Sequence, residues 1–477
     1  MRIEIPEKVN KIINVLLEHG YEAYAVGGCV RDSLISREVN DWDITTSASP
    51  QQVKALFRRT IDTGIQHGTV TVMLDKEGFE VTTYRIDGEY EDGRHPKAVT
   101  FTSNLEEDLK RRDFTINAMA YNESFGLVDI FGGESDLAKG IIRCVGVPGE
   151  RFDEDALRIL RAFRFSAQLG FTIEEQTLLS AKERAENLRK ISAERIRTEL
   201  TKLLVSKHPN RLLQASENGI TKIVLPEFDD MLVTTQKNKN HQYNVGEHAL
   251  HTIEFVADVE RQLKYIKNVL PQFDANTVVS KKEWSKKEIQ ILKYAALLHD
   301  VAKPEVKIVK ETGEELFPNH AICGGKIAKK VLQRLKFDNE TIEYVVRLVV
   351  AHAEYSYEKT LAGMRKLMHQ LGPDIMDLFW ELQMADILSQ HPASLQRKLE
   401  ALREAKKLHQ EVLQREDCVL LKSLKVNGSD LIKLGLAEGR QIGYLLNELL
   451  LHVLEHPEYN EKETLLALAK ELASTRE

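Results

Sequence analysis

The sequence predicts a small α/β head followed by a long all-α body. Three observations carry this. Strand-like runs bounded by turn residues alternate with helical patterns up to about residue 135, then nearly vanish. Beyond that point apolar residues recur at helical spacing and proline is sparse. At 477 residues the chain is also too long for one domain, and roughly two to four are expected. A hydrophobic content of 42% with 29% charged residues fits an ordinary globular protein able to bury a core. No apolar run reaches about 18 residues, so no membrane span is expected. The start, MRIEIPEKVN, has no apolar core of a signal peptide. Cys29, Cys144, Cys323 and Cys418 are far apart and form no CxxC pair. Neither a disulfide framework nor a zinc site is expected, and a reducing cytoplasm is the natural setting.

Taken in order, residues 6–19 have helical periodicity and Gly20 stops them. Glu22 to Val26 reads as a strand. Gly27-Gly28 follows as a turn, then a helix from Cys29 to Ile35. Trp42 to Thr45 reads as a second strand. Ser49-Pro50 opens a helix, with Ser49 as N-cap. Thr69 to Leu74 and Gly78 to Arg85 form a hairpin around a charged turn. Asp87 to Pro96 reads as a mobile loop. Leu105 to Tyr121 is expected to be helical, and Leu127 to Phe131 a short strand closed by Gly132-Gly133. Further breaks fall at 207–210, 236–242 and 274–287. The last section, from about Ala401, is amphipathic helix broken at Val426 to Ser429, with Ser429-Asp430 as an N-cap pair.

Four constellations in the head carry chemistry. Gly27-Gly28 lets the backbone approach a phosphate, and Arg31 sits one turn into the helix that follows. Asp41 and Asp43 are two apart, which on an extended segment puts both carboxylates on one face. Such a pair repels, and a divalent cation relieves the repulsion; hard oxygen donors suit Mg²⁺. Arg111-Arg112-Asp113 precedes an apolar run, and buried arginines need partners. In DEDALRILRAFR, Arg158, Arg161 and Arg164 recur at i+3 and share a helix face. Asp155 and Arg158 are also three apart. Together they offer an acceptor and a donor edge able to pair with the Watson–Crick edge of a base.

The net charge of −7 argues against nucleic-acid binding when taken alone. It hides a local excess. Ala181 to Arg211 holds nine Lys/Arg against four Glu, a solvated helix face on its own but a basic surface beside the head motifs.

GGCVRD with Asp41-Trp42-Asp43, RRDFTINAMA, VDIFGGESDL, EDALRILRAFRF and SAERIRTEL strongly resemble class II tRNA nucleotidyltransferases, the CCA-adding enzymes. The motifs fall in the family's order over roughly residues 20–205. The resemblance implies a DNA-polymerase-β-like α/β nucleotidyltransferase head and an all-α neck, body and tail. It implies that Asp41 and Asp43 hold catalytic Mg²⁺, and that Gly28 and Arg31 touch the triphosphate. Arg112 would belong to the nucleotide site and Asp113 would contact the ribose 2′-OH. Asp155 and Arg158 would read the base, with Arg161 and Arg164 near the phosphates. The implied partners are the tRNA 3′ end, CTP and ATP, and the implied reaction is template-independent CCA addition with release of pyrophosphate. The loop Glu89 to Pro96 resembles the flexible loop of A-incorporating members, so the complete CCA is expected. Partial CC- or A-addition and poly(A) synthesis are the alternatives within this head.

In the helical middle, His248, His299-Asp300 and Asp386, with His320 and His352 between them, resemble the HD phosphohydrolase superfamily. That resemblance implies a second divalent-metal site (Mn, Ni, Fe, Zn or Mg) and phosphodiesterase or phosphatase work on 3′-phosphate or cyclic-phosphate ends. His241 and His251 are expected at the surface. The expected division is 1–138 head, 139–210 neck, 211–400 HD-type body and 401–477 tail. Two other classes compete: a hydrolase of signalling nucleotides, which leaves the head motifs without a purpose, and an RNA-binding scaffold, which gains nothing from two adjacent carboxylates.

Overall fold

The structure is a computed structural model and describes residues 3–88, 99–237, 242–353, 358–436 and 438–474. The loop Glu89 to Pro96 and His241 lie outside the described residues. The chain forms two compact units, Met1–Pro226 and Glu227–Glu477. No helix among the described residues is long and apolar enough to cross a membrane.

The first unit is built on a seven-stranded sheet. Its order is Thr60–Gly64, Thr69–Leu74, Glu77–Thr83, Ile44–Thr46, Ala23–Val26, Met119–Asn122 and Gly126–Asp129. All neighbours are antiparallel except Ile44–Thr46 beside Glu77–Thr83. Ala23–Val26 is buried along its whole length, as its all-apolar sequence requires of a strand covered on both faces. Helix Glu7–Glu18 buries Val9, Ile12, Ile13 and Leu16, the i, i+3, i+4 stripe of a one-sided helix. Helix Pro50–Leu56 begins at the expected Ser49, which forms a capping box with Gln52.

Three expectations in this unit need correction. The helix expected over Leu105 to Tyr121 stops at Lys110. A 3₁₀ turn follows at Thr115–Asn117, and then Met119–Asn122 enters the sheet between two strands. Its helix-compatible residues yield to the ladder bonds and burial that the neighbouring strands supply. Asp41 and Asp43 precede their strand, which starts at Ile44, and Trp42 is only half-buried. Asp155 does not share a helix face with Arg158. It sits in an extended break (φ −142°, ψ 102°) after helix Pro148–Glu154, and Leu157–Leu169 begins beyond it.

The second unit is helical. Helices Val245–Phe255, Lys286–Leu298, His320–Arg334, Asn339–Ala351 and Met376–Ser389 carry the predicted histidines and aspartates or end beside them. Met376–Ser389 is buried on every side, as expected of a central helix. The 20-residue helix Leu395–Gln414 follows it. In the last section the expected Ser429-Asp430 cap shifts by two residues. Asn427 caps Gly428–Lys433 and pairs reciprocally with Asp430.

Candidate functional site

The head site begins where strand Ala23–Val26 runs into Gly27. That residue has φ +80°, and a Cβ there would meet an Arg112 guanidinium nitrogen at 3.0 Å. Only glycine meets both conditions without strain. Helix Gly28–Leu34 follows and buries Arg31. The Val26 N–H donates to the Asp43 carbonyl at 3.0 Å, which ties the Asp-x-Asp segment to the end of this strand.

Both carboxylates are exposed, as the i, i+2 spacing predicts, although the segment is irregular rather than a strand. Desolvation pushes the Asp43 carboxyl up, Asp41 adds to the rise, and Arg112 opposes it. Glu80 is pushed up in the same way, by desolvation first and then by Asp43 and Asp41. Three carboxylates therefore share one field, and together with Trp42 and Phe79 they line one open groove. Sequence reasoning missed Glu80. Its place follows from the parallel pairing of Glu77–Thr83 with Ile44–Thr46, a long-range contact with no local signal.

The arginines gather around one ring. The guanidinium carbons of Arg164, Arg31 and Arg161 lie 3.6, 5.0 and 5.4 Å from the centre of Phe165. Each has a carboxylate: Arg31 holds Asp32 at 2.9 Å, Arg161 holds Asp113 at 2.6 Å, and Arg164 holds Glu199 at 2.7 Å. Burial pushes Arg164 down to about 10 against the pull of Glu199, with Arg161 and Arg31 adding to the fall. Clustered planar donors of this kind suit a polyphosphate.

Asp113 is committed inside the protein. It accepts from Arg161 Nε (2.7 Å), Asn117 Nδ2 (3.0 Å) and the Phe114 N–H (2.9 Å). Burial alone would raise this carboxyl, but Arg161 above all holds it far below the usual range. Asn117 was not anticipated, and its Oδ1 also accepts from Arg31 at 2.5 Å. One carboxamide thus orients Arg31 and Asp113 together. Arg112 lies 3.4 Å from Asp108. The Asp155 carboxylate pairs with Arg195 at 2.6 Å rather than with Arg158. Arg158 reaches Glu154 at 2.5 Å and the Arg111 carbonyl at 2.9 Å.

The second unit holds the predicted His-Asp cluster. His248 Nε2 and His299 Nε2 are 3.2 Å apart, and His320 Nε2 and His352 Nε2 are 3.1 Å apart. Asp300 lies between the pairs, with Oδ2 at 3.2 Å from His299 and Oδ1 at 3.5 Å from both His320 and His352. Asp386 Oδ1 reaches His248 at 3.0 Å. Each Nδ1 is turned away from the centre. Those of His299, His320 and His352 rest on the Ala296, Phe317 and Val349 carbonyls, and that of His248 on the Ser389 hydroxyl. Such outer contacts fix the ring and leave Nε2 for a metal. The ligand atoms form two groups that share Asp300. Burial lowers His320 to about 4, while Asp300 is held well below the usual range despite its burial, chiefly by His299 and Lys303. Lys303, which sequence reasoning passed over, sits 2.6 Å from Asp300. His251 faces the surface beside Glu254 and Tyr243, as expected.

Residues 23–143 match the model of the poly A polymerase head domain, and 170–232 that of a probable RNA and SrmB-binding site of polymerase A. Residues 320–469 match a putative tRNA nucleotidyltransferase domain 2. The Bacillus stearothermophilus CCA-adding enzyme, solved in complex with CTP, aligns over 99% of both chains with a TM-score of 0.70 at 27% identity. In sequence and in fold the chain is similar to CCA-adding enzymes. Curated CCA-adding enzymes of Lactiplantibacillus plantarum (53% identity, 42% of this chain) and Oceanobacillus iheyensis (52%, 49% of this chain) match over 49% and 56% of their own length. The chain therefore spans about half the length of the curated relatives it matches. The Thermotoga maritima CCA-adding enzyme complexed with tRNA aligns over 99% of this chain and 100% of its own at 20% identity and a TM-score of 0.57, a likeness of fold alone.

Proposed function

We propose that the chain adds CCA to the 3′ end of tRNA, using CTP and ATP and releasing pyrophosphate. The observation that carries this reading is the head's combination of an open carboxylate trio with three guanidinium groups around Phe165. The Bacillus stearothermophilus enzyme solved with CTP and the curated CCA-adding enzymes support it. The donor set fits Mg²⁺: oxygen ligands only, with Asp43 and Glu80 raised by desolvation first and by neighbouring carboxylates second, both of which a cation offsets. When bound at Asp41 and Asp43, divalent metal would supply activation of the attacking 3′-OH and neutralisation of the leaving oxygens.

The protein's own residues do the positioning. Gly28 and Arg31, with Arg161 and Arg164, receive the triphosphate, and Arg112 screens Asp43. Asp113, held by Asn117, marks the ribose. Asp155, in the extended break, and Arg158, in the first turn of the helix that follows, read the base, with Arg195 orienting Asp155. The helices of residues 139–210 act as a neck between a head at 1–138 and the body at 211–400, and residues 401–477 form a tail. The cytoplasm is the proposed location. The test supplies tRNA lacking CCA with CTP and ATP, with and without EDTA, and sequences the product ends. Complete CCA that EDTA abolishes is expected. Products stopping at CC, or long A tails, overturn the reading.

A second activity is proposed for the His-Asp cluster, on the observation that four imidazole Nε2 atoms converge on one carboxylate. Mixed nitrogen and oxygen donors fit Mn, Fe, Ni or Zn as well as Mg, and the reaction is hydrolysis of phosphate esters. Hydrolysis of 2′,3′-cyclic phosphate ends with added metal, lost in Asp300→Ala but kept in Asp41→Ala, is the expected result. No hydrolysis with any of these metals would leave the unit as a scaffold.

A further inference from the structure

The His-Asp cluster opens into a cavity of about 440 Å³, a volume suited to a small molecule. Its two ends differ in chemistry. At one end stand the cluster and two lysines. Lys303 is ion-paired with Asp300 at 2.6 Å. Lys398, from helix Leu395–Gln414, has no ion pair among the described residues. Its ammonium donates to the Gln390 side-chain oxygen, and Gln390 Nε2 donates in turn to Asp386 Oδ1 at 2.9 Å. About two turns back from Asp386 along Met376–Ser389, and about one to two turns on from Lys398 along Leu395–Gln414, the lining becomes apolar with Phe379, Trp380, Leu402 and Ala405. Among the described residues of that wall the one side-chain donor, the Trp380 N–H, is already spent on His409 at 3.2 Å. The nearby rim cation, Lys359, has Glu404 at 3.9 Å. Among the described residues the lining offers the separate lysines Lys303, Lys359 and Lys398 and no continuous cationic track of the kind that an RNA backbone requires.

We infer that this cavity takes a small, detached phosphate monoester with a compact apolar group, its phosphate between the His-Asp cluster and Lys398 and its organic group against Trp380 and Leu402. The inference rests on the hydrolase reading of the same cluster and narrows its substrate class away from an intact tRNA end. A partly buried ammonium whose hydrogen-bond partner is a neutral carboxamide, with Asp386 offsetting only part of its desolvation, is a waiting anion site. The apolar wall gives the organic group its affinity through burial and selects no base. Hydrolysis balances simply: a water oxygen bonds to phosphorus, the ester P–O bond breaks, and the leaving oxygen takes a proton from that water.

The test is calorimetric titration of the full chain, with Mn²⁺ present, by phenylphosphonate and by inorganic phosphate. Phenylphosphonate cannot be hydrolysed and carries no base, so the nucleotide head does not select it. We expect it to bind at least about tenfold tighter than phosphate. Lys398→Met should weaken both anions by about tenfold. Ala405→Phe, which fills the apolar end, should remove the preference for phenylphosphonate and spare phosphate binding, and it keeps the test valid if Lys398→Met fails to fold. Equal affinity for the two anions, no binding of either, or a preference unchanged by Ala405→Phe overturns the inference. Phenyl phosphate and a tRNA ending in 3′-phosphate are then compared as substrates. Faster turnover of the tRNA also overturns it. Binding as expected with no hydrolysis of any ester instead removes the hydrolase reading and leaves the pocket assignment standing.

Discussion

Asp113→Asn tests the link between fold and nucleotide site in the head. The change keeps the shape of the side chain and removes its charge. Asp113 now accepts four polar contacts: the Phe114 N–H, Asn117 Nδ2, and Arg161 Nε and a terminal nitrogen, the last at 2.6 Å. An asparagine has one accepting oxygen and must point its amide hydrogens at Arg161 or Asn117. Removing one partner of a buried ion pair costs about 3–5 kcal/mol. Arg161 is one-third exposed (33%) and can recover some hydration, so the expected loss is near the lower figure, about 3 kcal/mol. Urea unfolding followed through the first unit measures it. The sign with pH is fixed as well. The folded carboxyl titrates below its unfolded value, so its stabilisation is complete above the ordinary aspartate range and is lost as pH falls through the folded value. Asp113→Asn should flatten that acid limb. Nucleotide KM should rise, because Arg161 and Asn117 lose the group that orients them. A stability loss under about 1 kcal/mol, the scale of an exposed pair, together with an unchanged KM, would refute the reasoning.

The remaining predictions separate chemistry from folding. Asp43→Asn should reduce nucleotide incorporation by three orders of magnitude or more, about 4 kcal/mol of transition-state stabilisation. It should also raise the melting temperature of the metal-free protein, because a carboxyl pushed up by desolvation and by Asp41 opposes folding when ionised; a lower melting temperature contradicts this. Gly133→Ala places a Cβ 2.3 Å from the Thr115 carbonyl oxygen and 2.9 Å from Met119. It should cost about 1–3 kcal/mol or more by overpacking, measured by denaturant unfolding. In the second unit, burial lowers Lys293 to about 8 while its ammonium donates to the Ile253 and Val256 carbonyls at 2.7 and 2.9 Å. Between that value and the ordinary lysine range the unfolded chain binds the extra proton, so stability should rise with pH there. Lys293→Met should flatten the rise in urea titrations at pH 7.5 and 9.5, values chosen on the order of one unit around it.

Where the sequence was legible, the deciding contacts are local. Arg161 and Arg164 share a face because they are three apart on one helix, and both reach Phe165. Where it was not, the contacts are distant in sequence. Glu80 joins Asp41 and Asp43 only through a parallel strand pairing. Asp155 finds Arg195 across forty residues rather than Arg158 across three. Met119–Asn122 becomes a strand because two other strands claim its backbone. Lys398 enters the second site from a helix that carries no motif.

The His-Asp cluster looks long-range, since its members span His248 to Asp386, yet its spacing was readable. The reason lies in how each ring is aimed. His299 and His352 are the C-cap residues of their helices, and His320 is the first residue of its own. In all three, Nδ1 rests on the carbonyl three residues back. The orientation of each Nε2 is therefore written into its own helix end, and the fold has only to bring those ends together. Asp300 follows directly from His299 in the chain, so the shared carboxylate comes with the first ring. A motif survives as a readable pattern when each member carries its own orienting contact. The proposed base-reading pair, Asp155 and Arg158, fails that condition, because Asp155 is aimed by Arg195 from another helix.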